Sequence, residues 1–148
     1  MKTQLRPKWS SAFTLIEIMV VVVIIGLLAA LILPKVFSKV GTAQISKAKS
    51  DIQAIETALT MYRLDNFKFP STDLGLKALV ERPNDPTVRN WPDGGYLQRL
   101  SNDPWGRPYI YVYPGTHGQE YDLYSLGQDG QEGGEKENAD IGNWNLEQ

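Results

Sequence analysis

No cysteine occurs in the 148 residues, so neither a disulfide nor a thiolate metal site can hold this chain together. Histidine is nearly absent as well: His117 stands alone in "PGTHGQ", a turn-like setting, and no nucleophile elbow, zinc motif or phosphate loop accompanies it. A membrane-anchored hydrolase would have to rely on Asp122 or Ser125 without a supporting constellation, so the expectation is a protein that is not an enzyme. A basic patch is also missing. The formal net charge is −2, and the positive residues Lys2, Arg6 and Lys8 sit ahead of an apolar run, whereas residues 115–148 carry eight Asp or Glu against Lys136 alone. No nucleic-acid partner is expected from that distribution. With no internal repeat either, the length is that of one small domain.

What is present begins with that apolar run, "SSAFTLIEIMVVVVIIGLLAALILP", residues 10–34. Every residue from 18 to 33 is apolar or Gly26, and the 21 residues from 13 to 33 would make a helix of about 31 Å, enough to span a bilayer. A secretory signal peptide would have a shorter apolar core followed at once by a small-residue cleavage site; here Pro34, Lys35, Val36 and Phe37 follow. Glu17 is the oddity, a carboxylate near the head of the run, where an ordinary anchor would let it reach toward headgroups.

The stretch "AFTLIEIMVVVVIIGLLAALILP" resembles the N-terminal signature of type IV pilins and pseudopilins. The resemblance implies that residues 1–12 are a leader removed by prepilin peptidase between Ala12 and Phe13, with methylation of the new Phe13 amine. The family has Gly before the Phe in nearly every member, and this chain has Ala12, a minimal enlargement. It also implies that residues 13–34 form a membrane-spanning assembly helix in which Glu17 faces the terminal amine of a neighbouring subunit. A carboxylate in hydrocarbon is costly alone and tolerable when paired, so such a charge favours one register between subunits. Pro34 cannot supply a backbone N–H and would kink or open the helix that continues past it.

Beyond Pro34 the pattern turns amphipathic. Ile45, Ala48, Ile52, Ile55, Leu59 and Tyr62 recur at spacings of three and four, the stripe of a helix laid on its own domain, with Asp65, Asn66 and Pro70 to end it. Residues 71–80 read as a short helix carrying Leu74, Leu76 and Leu79, and residues 83–108 as a long loop with Trp91, Tyr96 and Trp105 as aromatic plugs. "PYIYVY" (108–113) and "EYDLYSL" (120–126) alternate with period two around Pro114, Gly115 and Gly118, which predicts an antiparallel hairpin. The fold class is therefore α+β: a long N-terminal helix on a small antiparallel sheet.

Residues 124–144, "YSLGQDGQEGGEKENADIGNW", are acidic and glycine-rich, with no large aliphatic residue between Leu126 and Ile141. Composition alone allows a disordered surface loop. Ile141 and Trp144 look like anchors, however, and a pinned loop rich in oxygens suits a hard cation such as calcium, although EF-hand spacing is absent. Together with "YRLDNFKFPSTDLGLKALVERP", "GGYLQRLSNDPWGRPYIY" and "DIGNW", this stretch resembles the major-pseudopilin family of type II secretion systems over nearly the whole chain. The resemblance implies calcium bound by the Leu126 carbonyl and the Asp129 and Asp140 carboxylates. Glu132, Glu135 and Asn138, or backbone carbonyls, remain as sources of the other oxygens, because Ala139 stands where some relatives have a further Asp. It further implies a single-pass inner-membrane protein whose residues 35–148 form a periplasmic domain. Its partners would be copies of itself in a fibre, minor pseudopilins, an inner-membrane assembly platform and prepilin peptidase. An adhesive or competence pilin shares the assembly physics and is the neighbouring alternative.

Overall fold

The computed structural model describes residues 13–147, the side chains of 31–38 excepted. The expected leader, residues 1–12 with Ala12, lies outside the described residues, as does the side chain of Pro34. Two compact units divide between Lys39 and Val40. One helix, α1 (Leu15–Asn66), crosses that division and continues through position 34, so the proline does not end it.

In the first unit, α1 opens on a reciprocal cap. The Thr14 hydroxyl accepts the Glu17 N–H at 3.2 Å, and Glu17 Oε2 accepts the Thr14 N–H at 3.1 Å. This is the capping box that Thr-x-x-Glu predicts, and it satisfies donors that the first helical turn otherwise leaves open. The apolar side chains that follow, from Leu15 to Leu28, are exposed on all sides. Among the described residues no helix is long and apolar enough to cross a membrane. The side chains described in this part of α1 stop at Ala30, and the expected span over 13–34 counts four residues beyond them.

In the second unit the expected stripe is the core. Ala48, Ile52, Ile55, Ala58, Leu59 and Tyr62 are buried and Ile45 is partly so. Burial of each larger aliphatic among them stabilises the fold by about 1.5–3 kcal/mol. The helix ends at Asn66, whose side chain donates to the Tyr62 and Asn90 carbonyls and accepts the Asn90 N–H. Phe67 then takes φ 62° and donates its N–H to the Arg63 carbonyl at 2.7 Å, a left-handed cap of the kind glycine usually supplies. The stop thus precedes Pro70.

The helix expected over 71–80 shrinks to one 3-10 turn, Leu76–Leu79. Gly75, at φ 58°, accounts for the difference: its N–H closes one turn on the Ser71 carbonyl at 2.9 Å, and its left-handed backbone separates that turn from the 3-10 turn that follows. The long loop is as expected, with Trp91, Tyr96 and Trp105 packed partly buried on the core. The hairpin forms as β1 (Ile110–Val112) and β2 (Asp122–Ser125), with Tyr111 opposite Leu123. A strand that the sequence pattern did not reveal, β3 (Ile141–Gly142), adds antiparallel to β2. The sheet lies on α1 through buried Tyr109, Tyr111, Tyr121, Leu123 and Ile141. Two phenols fix it there, Tyr109 donating to Asp51 at 3.0 Å and Tyr121 to Glu56 at 3.3 Å.

Candidate functional site

The loop between β2 and β3 is pinned at both ends, the far one at Ile141 as expected. At the start, the Ser125 hydroxyl donates to the buried Asp103 carboxylate at 2.6 Å. At the end, Asn145 donates its side-chain amide to the Asp140 carbonyl at 2.9 Å, and Ile141 is buried in the core. Between these anchors the chain folds on itself. Gly130 N–H donates to the Leu126 carbonyl at 3.2 Å, Gln128 N–H to the Glu137 carbonyl at 2.8 Å, and Asp140 N–H to the Gly133 carbonyl at 3.1 Å. Gly127 has to be glycine: at φ 61°, a Cβ would also stand 2.6 Å from the Ala139 carbonyl oxygen on the returning strand of the loop.

The sequence-predicted ligands occupy distinct settings. Asp129 is exposed, and its Oδ1 accepts the Gln131 N–H at 3.1 Å. Asp140 is half-buried: Oδ2 accepts the Gly133 N–H at 2.9 Å, whereas Oδ1 is buried with no hydrogen-bond partner among the described residues. Glu132, Glu135 and Asn138 are exposed. Burial raises the Tyr124 hydroxyl pKa, with help from the negative charge of Glu132, Asp140 and Asp122, so two loop carboxylates act on one phenol. Among the described residues no three His, Asp or Glu side chains are gathered as a metal cage. A cation here would therefore draw on backbone carbonyls, and that is chemistry calcium accepts.

Two features beside the loop escaped the sequence reading. Residues 103–107 form a turn in which Gly106 N–H donates to the Asp103 carbonyl at 3.0 Å. The carboxylate of Asp103 accepts the Trp105 and Arg107 N–H groups, and the Arg107 guanidinium reaches across to the Gly127 carbonyl. Asp-Pro-x-Gly is a turn signature that the sequence does show, but nothing in it points to Gly127. The other feature is His117, which is more than a turn residue. Its ring stacks on Trp144 with centroids 3.9 Å apart, and its Nδ1 lies 3.0 Å from Asp122 Oδ2. Burial pushes the Asp122 pKa up, but hydrogen bonds from Thr116 and His117 outweigh it and hold the carboxyl at about 2. This cluster ties the β1–β2 turn to the segment after β3.

Known proteins are similar to this chain in sequence and in fold. Residues 10–33 match the prokaryotic N-terminal methylation motif, and residues 35–144 match the family "Type II secretion system (T2SS), protein G". A type II secretion system core protein G of Pseudomonas aeruginosa is 57% identical over 141 residues, spanning 95% of this chain and 99% of the relative. The protein of the same description from Vibrio cholerae is 52% identical over 137 residues, spanning 93% of each. The crystal structure of the major pseudopilin from the type 2 secretion system of enterohaemorrhagic Escherichia coli is similar with a TM-score of 0.61. It is 44% identical and covers 70% of this chain and 88% of that one.

Proposed function

We infer the working of this protein from a family premise: the chain belongs to the type II secretion system protein G family. It is a structural subunit of the secretion pseudopilus and not an enzyme. The observation that carries the finer reading is the junction of two matches in one chain, a methylation motif over 10–33 running directly into the protein G region over 35–144.

On this reading residues 1–12 are a leader cut between Ala12 and Phe13, the Phe13 amine is methylated, and residues 13–34 anchor the subunit once in the inner membrane. Residues 35–148 then work in the periplasm. The all-round exposure of Leu15 to Leu28 supports this, because such a surface is costly in water and needs lipid or neighbouring helices. Copies pack by these helices into a fibre, with Glu17 set against the amine of the next subunit and Pro34 free to open the helix locally. Minor pseudopilins, an inner-membrane assembly platform and prepilin peptidase are its partners, and growth of the fibre helps move folded proteins across the outer membrane. Mass spectrometry of the protein from cells with active prepilin peptidase tests the first step. An N-terminal methyl-Phe13 is expected, and retention of Met1 or Lys2 would refute it.

The loop over 126–140 binds calcium in the same reading. The buried, unpartnered Oδ1 of Asp140 supports the fit, since burying a carboxylate oxygen without a donor is costly and a cation removes that cost. The Leu126 carbonyl and the Asp129 and Asp140 carboxylates would hold the ion, with further oxygens from Glu132, Glu135, Asn138 or backbone carbonyls. Bound calcium offsets part of the loop's negative charge.

A further inference from the structure

The Leu126 carbonyl is bracketed by two anchors that spring from one turn. Ser125, on one side, is buried and donates to Asp103 Oδ2. Gly127, on the other, is buried and its carbonyl accepts from Arg107 Nη2. The turn itself is closed in both directions: Asp103 N–H donates to the Arg107 carbonyl at 2.7 Å, and Arg107 N–H donates to Asp103 Oδ1 at 2.8 Å. Asp103 and Arg107 therefore cannot shift independently, and the peptide between their two contacts is held from both sides.

Gly130 supplies a second observation. It donates its N–H to the Leu126 carbonyl, and the Arg107 guanidinium occupies the space its side chain would need, with Cζ 2.9 Å and Nη1 3.0 Å from the place of a Cβ. The guanidinium thus underlies both the Gly127 peptide and Gly130.

We propose that Arg107 is a positioning residue that presets the Leu126 carbonyl for calcium. This rests on the calcium reading above. A planar, fixed fork is what the role requires, because one flat group must meet the Gly127 carbonyl and fit beneath Gly130. The role has a diagnostic sign. Arg107 is itself a cation, so removing it lessens repulsion toward a second cation, and a purely electrostatic role predicts tighter calcium binding in its absence. Positioning predicts the reverse, a loss of about 10–100-fold, as for groups that orient metal ligands elsewhere.

The test is calorimetric titration of calcium chloride into the full processed chain in detergent, stripped of metal, as wild type, Arg107→Gln, Arg107→Lys, Gly130→Ala and Gly133→Ala. The metal-free melting curve of each serves as the check on folding. Arg107→Gln and Arg107→Lys are both expected to bind about 10–100-fold more weakly, the lysine failing to rescue because it keeps the charge and loses the fork. Equal or tighter binding by Arg107→Gln, or wild-type binding by Arg107→Lys, would overturn the proposal. Should the arginine variants not fold, Gly130→Ala is read against Gly133→Ala, which brings the same left-handed backbone strain into the loop (φ 71° and 93°) but has open space where its Cβ would stand: weaker binding by Gly130→Ala than by Gly133→Ala supports the role, and equal binding removes it. Absence of calcium binding by the wild type would instead defeat the calcium reading, and this proposal with it.

Discussion

Glu17 and Thr14 cap α1 reciprocally, each accepting the other's backbone N–H. The carboxylate proposed above for subunit docking in the fibre therefore has a local employment within a single chain, and the two roles separate by substitution. Glutamine keeps the capping box, whereas alanine removes it at a cost of about 1 kcal/mol to the helix start. Only the charge can pair with a neighbouring amine.

Glu17→Gln and Glu17→Ala are thus both expected to abolish fibres while leaving membrane insertion intact. Electron microscopy of fibres from overexpressing cells, with secretion measured alongside, checks this. Normal fibres from the glutamine variant would reduce Glu17 to a helix cap.

Removing calcium should loosen the loop. With free calcium at 100 times its dissociation constant, linkage contributes about 2.7 kcal/mol, a large part of a small domain's stability. Chelator is expected to lower the melting temperature and to open residues 126–140 to protease. Asp140→Asn should mimic chelation, and Glu147→Gln in the exposed tail should not. Identical melting curves with calcium and with chelator would leave only an acidic surface segment.

Periodicity made the helix and hairpin legible, because Ile52, Leu59 and Tyr62 repeat at the helical spacing and Tyr111 and Leu123 at the strand spacing. The third strand was not legible, since the two residues Ile141 and Gly142 carry no period. The far end of the acidic loop is legible in Ile141 and Trp144, but its start, held by Ser125 on Asp103, is not. The loop's interior support is not legible either: Arg107 lies 20 residues from the Gly127 carbonyl it meets, and no spacing rule links a guanidinium to a distant backbone oxygen. The Thr14–Glu17 cap was written plainly in Thr-x-x-Glu but was overshadowed by the apolar run that follows it.

Phe67 is 89% exposed and takes φ 62°, so it contributes little burial while occupying a left-handed conformation that costs a residue of this kind roughly 1–2 kcal/mol. Asparagine tolerates that conformation and is a common helix-ending residue there. Phe67→Asn is expected to stabilise the protein by about 0.5–1 kcal/mol, the gain of an improved helix cap. Urea unfolding measures it, and a loss of stability would show that Phe67 holds something beyond the cap.

Asp122 offers a stability signature at low pH. Its carboxyl sits at about 2 in the folded chain, against an ordinary value of 3.8, because Thr116 and His117 donate to it and outweigh the burial that opposes them. A depressed carboxylate stabilises the fold only while it is charged in both states, so the contribution is complete above pH 3.8 and fades as pH falls toward 2. A shift of this size corresponds to about 2 kcal/mol. Asn cannot carry the charge, and whichever way its amide is turned the nitrogen meets a donor, either the two Thr116 groups that Oδ2 accepts or the His117 N–H that Oδ1 accepts. Asp122→Asn should therefore cost about 2 kcal/mol at pH 5, and the gap between wild type and variant should narrow steadily between about pH 4 and pH 2. Other carboxylates titrate over the same range in both proteins, so that difference is what isolates Asp122. Chemical unfolding of both chains across this window measures the gap. A gap that stays constant would mean that Asp122 acts through shape alone, whereas one that widens on acidification would reverse the sign of the linkage and with it the assignment of the lowered pKa.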